Sequence, residues 1–433
     1  MKHWIVLAFL WTAPLGTLIP VPGTPHSFRF FYLLMAAAIP LLLTGRLSLR
    51  LVLFAASQMP FVLYLLWSAV YNYDPSGIEG AEANPLFRAL LLAVELIFIT
   101  LVAIRCQREA LPARARLLIV PLLSYLVSMA AGYVFFVGYY AGLLRLETLE
   151  PFHVLLQFGY GILRFSPGSY PNEYGNVSSF FASLVLFMLL RWPLVTVALG
   201  GPTPGTRWLR RLLLLSFPLM LGALILSTTR AAYLSFIAAV IIIGFGQRTA
   251  LARIRYFGVA ALCTLAALMA IQRHFDILGL IRTAYFAFFE ESASAYSRFF
   301  EWRRAYEAFQ SVPWLGTGYG TAEMIHNIYL QILFSTGLAG ALMFGFFFVA
   351  LQCARQPSPF VPSSGDSERD RAALQLLRVA SYLAVGHTLW FGVSNHNLNH
   401  FLTWFTVLLV LLVPRRAQPI VVARAPLERG ALS

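Results

Sequence analysis

Arg230 lies in LILSTTRAAYLS, between two apolar stretches with almost no loop to separate them. An arginine in that position is costly unless it is paired or faces a watery cavity. Ser227, Thr228 and Thr229 precede it, and small polar residues of this kind suit a helix N-cap. A helix start beside a guanidinium makes an anion site. An arginine snorkelling to lipid headgroups is the competing reading, but it needs no preceding polar trio.

His326 lies in GTGYGTAEMIHNIYLQILFSTGLAG, where a long loop gives way to an apolar run. Histidine is the side chain best suited to take a proton near neutral pH. At the mouth of a span it would be half-shielded, and a helix N-terminus there would disfavour the imidazolium. From position alone, a structural histidine fits equally well. Gly316, Gly318 and Gly320 let the backbone bend before the helix. This GxGxG is no nucleotide fingerprint, because no strand precedes it.

Four further arginines fall in two other stretches. Arg298, Arg303 and Arg304 fall in SRFFEWRRAYEAFQ, and Arg164 falls in GYGILRFSPGSYPNEYGN, where Pro167, Gly168, Pro171 and Asn172 mark a turn-rich stretch. Arg164 is equally readable as a plain interfacial arginine. Several arginines and one histidine suggest handling of an anionic, membrane-anchored substrate, since guanidinium forks match phosphate geometry. His326 would then activate an acceptor hydroxyl while the arginines stabilise a pyrophosphate leaving group. A phosphate-lipid transporter would want the same arginines and no base.

Other candidates carry less. His396 and His400 in SNHNLNHF could share one helix face, but a metal site needs more ligands than two. No paired carboxylates stand near His326, so neither a metal nor another cofactor is expected. Glu95 is an acid inside an apolar run, readable as functional or as a buried hydrogen-bonding group. Cys106, Cys263 and Cys353 are far apart, and the chain has no CxxC, so neither a disulfide framework nor a zinc site is indicated.

The elements that must position these residues are set by composition. Of 433 residues, 59% are hydrophobic and 12% charged, where a soluble domain carries about 25% charged. The surface must be mostly lipid-facing. Apolar runs fall near residues 4–21, 28–44, 51–71, 86–104, 117–141, 174–190, 212–228, 231–246, 256–271, 327–351, 379–395 and 398–413. They predict an all-α polytopic membrane protein of about twelve transmembrane helices. The first run lacks a small-residue cleavage site and is read as a span.

Net charge is +14, and all but Lys2 of the 32 basic residues are arginine. In a soluble chain such a surplus would raise nucleic acid as a partner; here basic loops fix orientation, and no nucleic acid is expected. With the N-terminus inside, 22 basic residues fall inside and ten outside, so both termini are expected in the cytoplasm. Residues 1–271 then hold nine spans, 272–326 a long outer loop, 327–413 three more spans, and 414–433 a cytoplasmic tail. The outer segments 142–173 and 272–326 are too long to be turns. The second reads as one or two amphipathic helices at the outer surface. The inside segment 354–373 reads as a solvated linker.

Four stretches now resemble one known family. HNIYLQILFSTGLAG looks like the signature of the O-antigen ligase and polymerase superfamily, a histidine opening a span ahead of a glycine-containing helix. SRFFEWRRAYEAFQSVPWLGTGYG is similar to its Arg…Trp…Pro…Gly-x-Gly segment. STTRAAYLS resembles its Ser/Thr-rich arginine segment, and RFSPGSYPNEYGN its Arg…Gly…Pro-Asn stretch. The four occur in the family's order over about residues 160–345; the first hundred or so residues match only in being apolar. Glu173 and Tyr174 after the Pro-Asn pair depart from the pattern.

The resemblance implies a membrane glycosyltransferase of GT-C type in the bacterial inner membrane. It would move a glycan from undecaprenyl pyrophosphate to an acceptor at the periplasmic face without a metal. In ligases the acceptor is lipid A-core oligosaccharide, which is the reading preferred here. In polymerases it is another lipid-linked glycan, and in O-oligosaccharyltransferases a protein hydroxyl. On this reading His326 is the general base of an inverting displacement, and Arg230, Arg298 and Arg164 hold the pyrophosphate. A lipid-linked oligosaccharide transporter is the alternative from another class.

Overall fold

The computed structural model describes residues 3–15, 18–20, 27–43, 48–71, 85–158, 162–247, 249–273, 279, 294–319, 325, 327–355, 368–394 and 400–415. His326 and His396 lie outside the described residues, as do Gly320 and most of 274–293. The described chain is helical apart from two short hairpins, and it is an all-α polytopic membrane protein.

The helices are α1 (His3–Leu15), α2 (Phe30–Leu43), α3 (Leu49–Tyr71), α4 (Pro85–Cys106), α5 (Leu111–Arg116), α6 (Ile119–Tyr140), α7 (Leu146–Leu149), α8 (Pro171–Leu190), α9 (Trp192–Leu199), α10 (Pro204–Leu226), α11 (Arg230–Phe245), α12 (Ala250–Gln272), α13 (Ser294–Ser311), α14 (Ile328–Ala354), α15 (Glu368–Ser394) and α16 (Phe401–Leu412). Antiparallel hairpins β1–β2 (Leu18–Pro20 with Ser27–Arg29) and β3–β4 (Leu155–Phe158 with Ile162–Phe165) interrupt them.

Every apolar run overlaps a helix, but not every helix is membrane-length. Among the described residues, eight are long and apolar enough to cross a bilayer. The runs at 4–21, 28–44, 231–246 and 398–413 hold shorter helices; α1 has 13 residues and α16 has 12. At about 1.5 Å per residue each falls well short of a core of roughly 30 Å. The first run does not stay helical to its end. The α1 helix stops at Leu15, and residues 18–20 pair as a strand with 27–29. At the other extreme, α15 begins at Glu368, inside the stretch expected to be a solvated linker. Its charged first turns lie outside the apolar run but pack against α5 and α9, so tertiary contact carries the helix past its hydropathy signal.

The centre of the bundle is α8, whose side chains are buried along most of its length. Pro171 at its start needs no N–H partner there, and its Gly and Ser residues let α10, α11 and α15 approach closely. Buried Ser178 and Ser183 return their hydroxyls to the carbonyls of Tyr174 and Ser179, 2.8 Å each.

One end of the bundle explains the near-exclusive use of arginine. Arg105 donates to Leu42 O (3.1 Å), Arg116 to Leu199 O (3.0 Å), Arg253 to Gln247 O (3.0 Å) and Arg355 to Val413 O (3.0 Å). Each acceptor lies at or just past a helix C-terminus, where carbonyls lack intrahelical partners. A guanidinium fork can serve two or three of them, an ammonium fewer. Buried Arg114 donates to Glu109 O (2.8 Å), Leu412 O (3.3 Å) and Gln107 O. Arg114→Lys is expected to lower stability by about 2–3 kcal/mol, read as a lower Tm of the purified protein. An unchanged Tm would show these carbonyls to be satisfied without it.

Candidate functional site

At the opposite end of α8, hairpin β3–β4 places Arg164. Its register pairs Leu155 with Phe165 and Leu156 with Arg164. Side chains alternate across a strand. Phe165 is therefore buried against Tyr133, Phe136 and Tyr174, with ring centroids 5.0, 5.7 and 5.6 Å away. Arg164 points the other way, into the turn between α10 and α11. Its Nε donates to Ser227 O (2.9 Å), and its Nη2 to Asn172 Oδ1 (3.0 Å) and Thr229 Oγ1 (2.9 Å). Two stretches that are far apart in sequence are thus tied by one guanidinium.

The polar trio before Arg230 does not cap α11 as its sequence suggests. Thr229 occupies the N-cap position but makes no side-chain cap bond. Its hydroxyl donates to Pro171 O (2.8 Å) and accepts from Arg164. Thr228 is held at φ +50°, a costly conformation for a β-branched residue. Gly175 of α8 lies against this turn; a Cβ there would come within 2.7 Å of Ser227 Oγ and Thr229 Cβ. The Glu173 and Tyr174 departure also has a place. Glu173 accepts from Ser169 Oγ (2.9 Å), and Tyr174 stacks into the Phe165 cluster.

Electrostatics brings the other arginines in. Burial pushes the Arg164 pKa down to about 10; Tyr233 opposes the shift, and the Arg230 and Arg298 cations add to it. Burial also lowers the Arg298 pKa, with Arg230 adding and Glu301 opposing. Arg164, Arg230 and Arg298, from β4, α11 and α13, therefore act on one another's charge. Arg230 is exposed and the other two are half-buried. Arg303 is turned elsewhere, to an exposed ion pair with Glu307 at 2.9 Å, and Arg304 is exposed.

The histidine segment is braced from α13 and α3. Asn327, not His326, is the N-cap of α14, accepting from Tyr329 N (3.0 Å) and Leu330 N (3.1 Å). Ile325 on the other side is buried, its N–H on Gln331 Oε1 (2.8 Å). Three turns on, α14 breaks at Gly337 (φ +66°, ψ −170°). Residues 313–318 hydrogen-bond into the break. Thr317 N reaches Phe334 O and Gly318 N reaches Ser335 O (2.9 Å each), while Leu338 N reaches Pro313 O (2.9 Å). The Tyr64 hydroxyl sits 3.0 Å from both Leu315 O and Thr336 O. Tyr306 and Phe309 of α13 pack on Phe334 at 6.2 and 5.5 Å. One helix thus joins the arginine cluster to the break.

Gly337 occupies a backbone region essentially reserved for glycine, and a Cβ there would run into the Trp314 carbonyl. Gly337→Ala is expected to cost about 2–5 kcal/mol from strain and overpacking together. Thermal unfolding measures this, and a wild-type Tm would rule it out.

Sequence reasoning missed several residues. Gly175 and Tyr64 carry no special signal until their partners are known, and Asn172 reads only as a turn residue until its bond to Arg164 is seen. Buried His387 in α15 was masked by a run that reads as uniformly apolar. His400 is a buried N-cap of α16, accepting from Leu402 N (3.3 Å) and stacked on Phe391 at 4.7 Å; the expected pairing with His396 lies outside the described residues. Glu95 is fully buried within α4. Among the described residues, no three His, Cys, Asp or Glu side chains are grouped to hold a metal.

These features define a multi-pass membrane protein with mutually interacting arginines at one end of its bundle. Residues 215–345 match the family model described as O-antigen ligase, a span containing Arg230, Arg298, His326 and the Gly337 break. Over those residues the chain is similar to the O-antigen ligase superfamily. No curated protein matches the chain.

Proposed function

We propose that the protein is a metal-independent, inverting glycosyltransferase of GT-C type. It moves O-antigen glycan from undecaprenyl pyrophosphate to lipid A-core oligosaccharide at the periplasmic face of the inner membrane. The observation that carries this reading is the convergence of Arg164, Arg230 and Arg298 from three separate segments. Cations that disfavour one another's charge become favourable around a pyrophosphate.

In the proposed reaction His326 takes the proton of an acceptor hydroxyl as that oxygen attacks the anomeric carbon. The bond from that carbon to the pyrophosphate oxygen breaks with its electron pair going to oxygen, and the arginines hold the departing pyrophosphate, which gains one negative charge. A crevice of about 190 Å³, lined by Phe61, Leu96, Ile328, Tyr329, Phe344 and Phe347, starts at the two residues that open α14. Its apolar wall suits the lipid-linked character of the donor.

The test is reconstitution in proteoliposomes with undecaprenyl-pyrophosphate glycan and lipid A-core, product resolved on a gel, with and without EDTA. Transfer to lipid A-core that survives chelation is expected. Elongation of the lipid-linked glycan instead would make the protein a polymerase, and donor movement without transfer a transporter. Labelling of Ser311→Cys by an impermeant reagent in spheroplasts is expected from the outer side; labelling only from the cytoplasm would overturn the topology.

A further inference from the structure

His387 is 2% exposed, inside α15 and away from the arginine cluster. Its Nδ1 lies 2.8 Å from Leu383 O, and its Nε2 lies 2.9 Å from Ser179 Oγ on α8. Ser179 Oγ lies in turn 2.9 Å from Ser235 Oγ on α11. A carbonyl can only accept, so Nδ1 carries the proton and Nε2 of the neutral ring accepts from Ser179. The Ser235 hydroxyl is also placed to donate to Ala232 O (2.9 Å), so its contact with Ser179 joins the three helices without a fixed donor.

The chain lies just below the arginines. At about 1.5 Å per residue, Ser235 is roughly 7–8 Å along α11 from Arg230, and Ser179 roughly 12 Å along α8 from Pro171. The other side of α15 grips the histidine segment. Tyr329 donates its hydroxyl to Leu389 O at 2.9 Å, and a Cβ on Gly392 would come within 2.8 Å of Ile328 Cγ2. Ile328 and Tyr329 follow His326 by two and three residues.

We propose that His387 is a positioning residue, holding the arginine-bearing helices α8 and α11 in register with the start of α14 through the chain to Ser179 and Ser235. This rests on the proposed pairing of the arginines with His326 in one reaction. Gly175 and Thr229 still clasp α8 to α11 when the chain is cut, so the donor site stays whole. What is lost is its distance from the base, and a misplacement of about 1 Å can cost on the order of 10²-fold in rate.

The test compares wild type with His387→Phe, His387→Gln and Ser179→Ala in the full-length reconstituted protein. Phenylalanine keeps a ring beside Phe180, which the histidine ring meets edge-on at 5.9 Å, but cannot accept from Ser179. Glutamine can. We expect His387→Phe and Ser179→Ala to lower kcat by about ten-fold or more with donor KM within about two-fold, and glutamine to restore most of kcat. Amide exchange should quicken at 230–236 and 328–332 in the phenylalanine and alanine variants, and elsewhere stay as in wild type. An unchanged kcat, a glutamine variant as impaired as phenylalanine, or quickening spread through the whole bundle would overturn the proposal. The exchange pattern is read without turnover. Inactive wild type with selective quickening would therefore sink the proposed function while leaving the coupling of the helices standing.

Discussion

Replacing His326 with alanine is expected to lower kcat by about 10²–10⁴-fold, the usual cost of losing a positioned general base, while donor binding survives. The position is set by its surroundings. Ile325 is buried and bonded to Gln331, Asn327 caps α14, and residues 313–318 are stitched into the Gly337 break. These bonds run between other residues, so the variant should fold with a Tm near that of wild type. In the proposed reaction neutral imidazole is the active form, so kcat/KM of the wild type should rise with pH as the ring loses its proton, and the residual rate of His326→Ala should lack that limb. Near-normal turnover of the variant across pH would make His326 structural and favour a transporter or another base.

Arg230→Ala is expected to lower kcat/KM by at least about 10²-fold, comparable to removing one donor from an oxyanion site. Its side chain is exposed, so stability should barely change. Arg164→Ala should lose as much activity and stability besides, because Asn172 Oδ1, Thr229 Oγ1 and Ser227 O lose their donor. Lysine should rescue neither fully, since it lacks the fork. The sign of the pH effect follows from Arg164. Its folded pKa of about 10 lies below that of a free arginine. The charged form therefore costs folding stability below pH 10, and that cost fades as pH rises past 10. A bound pyrophosphate reverses the shift. Inorganic pyrophosphate should then stabilise wild type by about 2.7 kcal/mol at a hundred-fold excess over Kd, read as a raised Tm, and the rise should shrink above about pH 10 and in Arg230→Ala. Full activity of Arg230→Ala with unchanged donor affinity would remove the arginines from the reaction.

Much of this molecule is written in local pattern. Apolar runs of membrane length mark α3, α4, α6 and α14 because hydropathy acts residue by residue, whatever the neighbours. The short α1 and α16 show the limit: a run counts apolar residues, and cannot tell where a helix stops and a paired strand or cap begins. Likewise α15 starts well before its apolar stretch, because packing on α5 and α9 replaces the bilayer as the reason to be helical.

For the site, residue type was legible and partnership was not. Arginines against the charge trend and a histidine at a span mouth stand out in the chain itself, because charge near a bilayer is expensive anywhere. Their roles as partners come from distance alone. Arg164 meets Ser227 across 63 residues of sequence because Phe165 faces inward and the strand must turn its neighbour outward. Thr229 looks like a cap and serves as a clasp, because Pro171 O and the Arg164 fork arrive at its hydroxyl first. The apolar sequence around His387 hides a hydrogen-bond chain that exists only where α8, α11 and α15 cross. The sequence by itself thus determined a polytopic membrane protein and the residue types available to its chemistry, since both follow from the cost of placing each side chain in lipid or water. Which of those residues touch was decided by the tertiary structure, because a hydrogen bond depends on tenths of an ångström between segments that hydropathy cannot align.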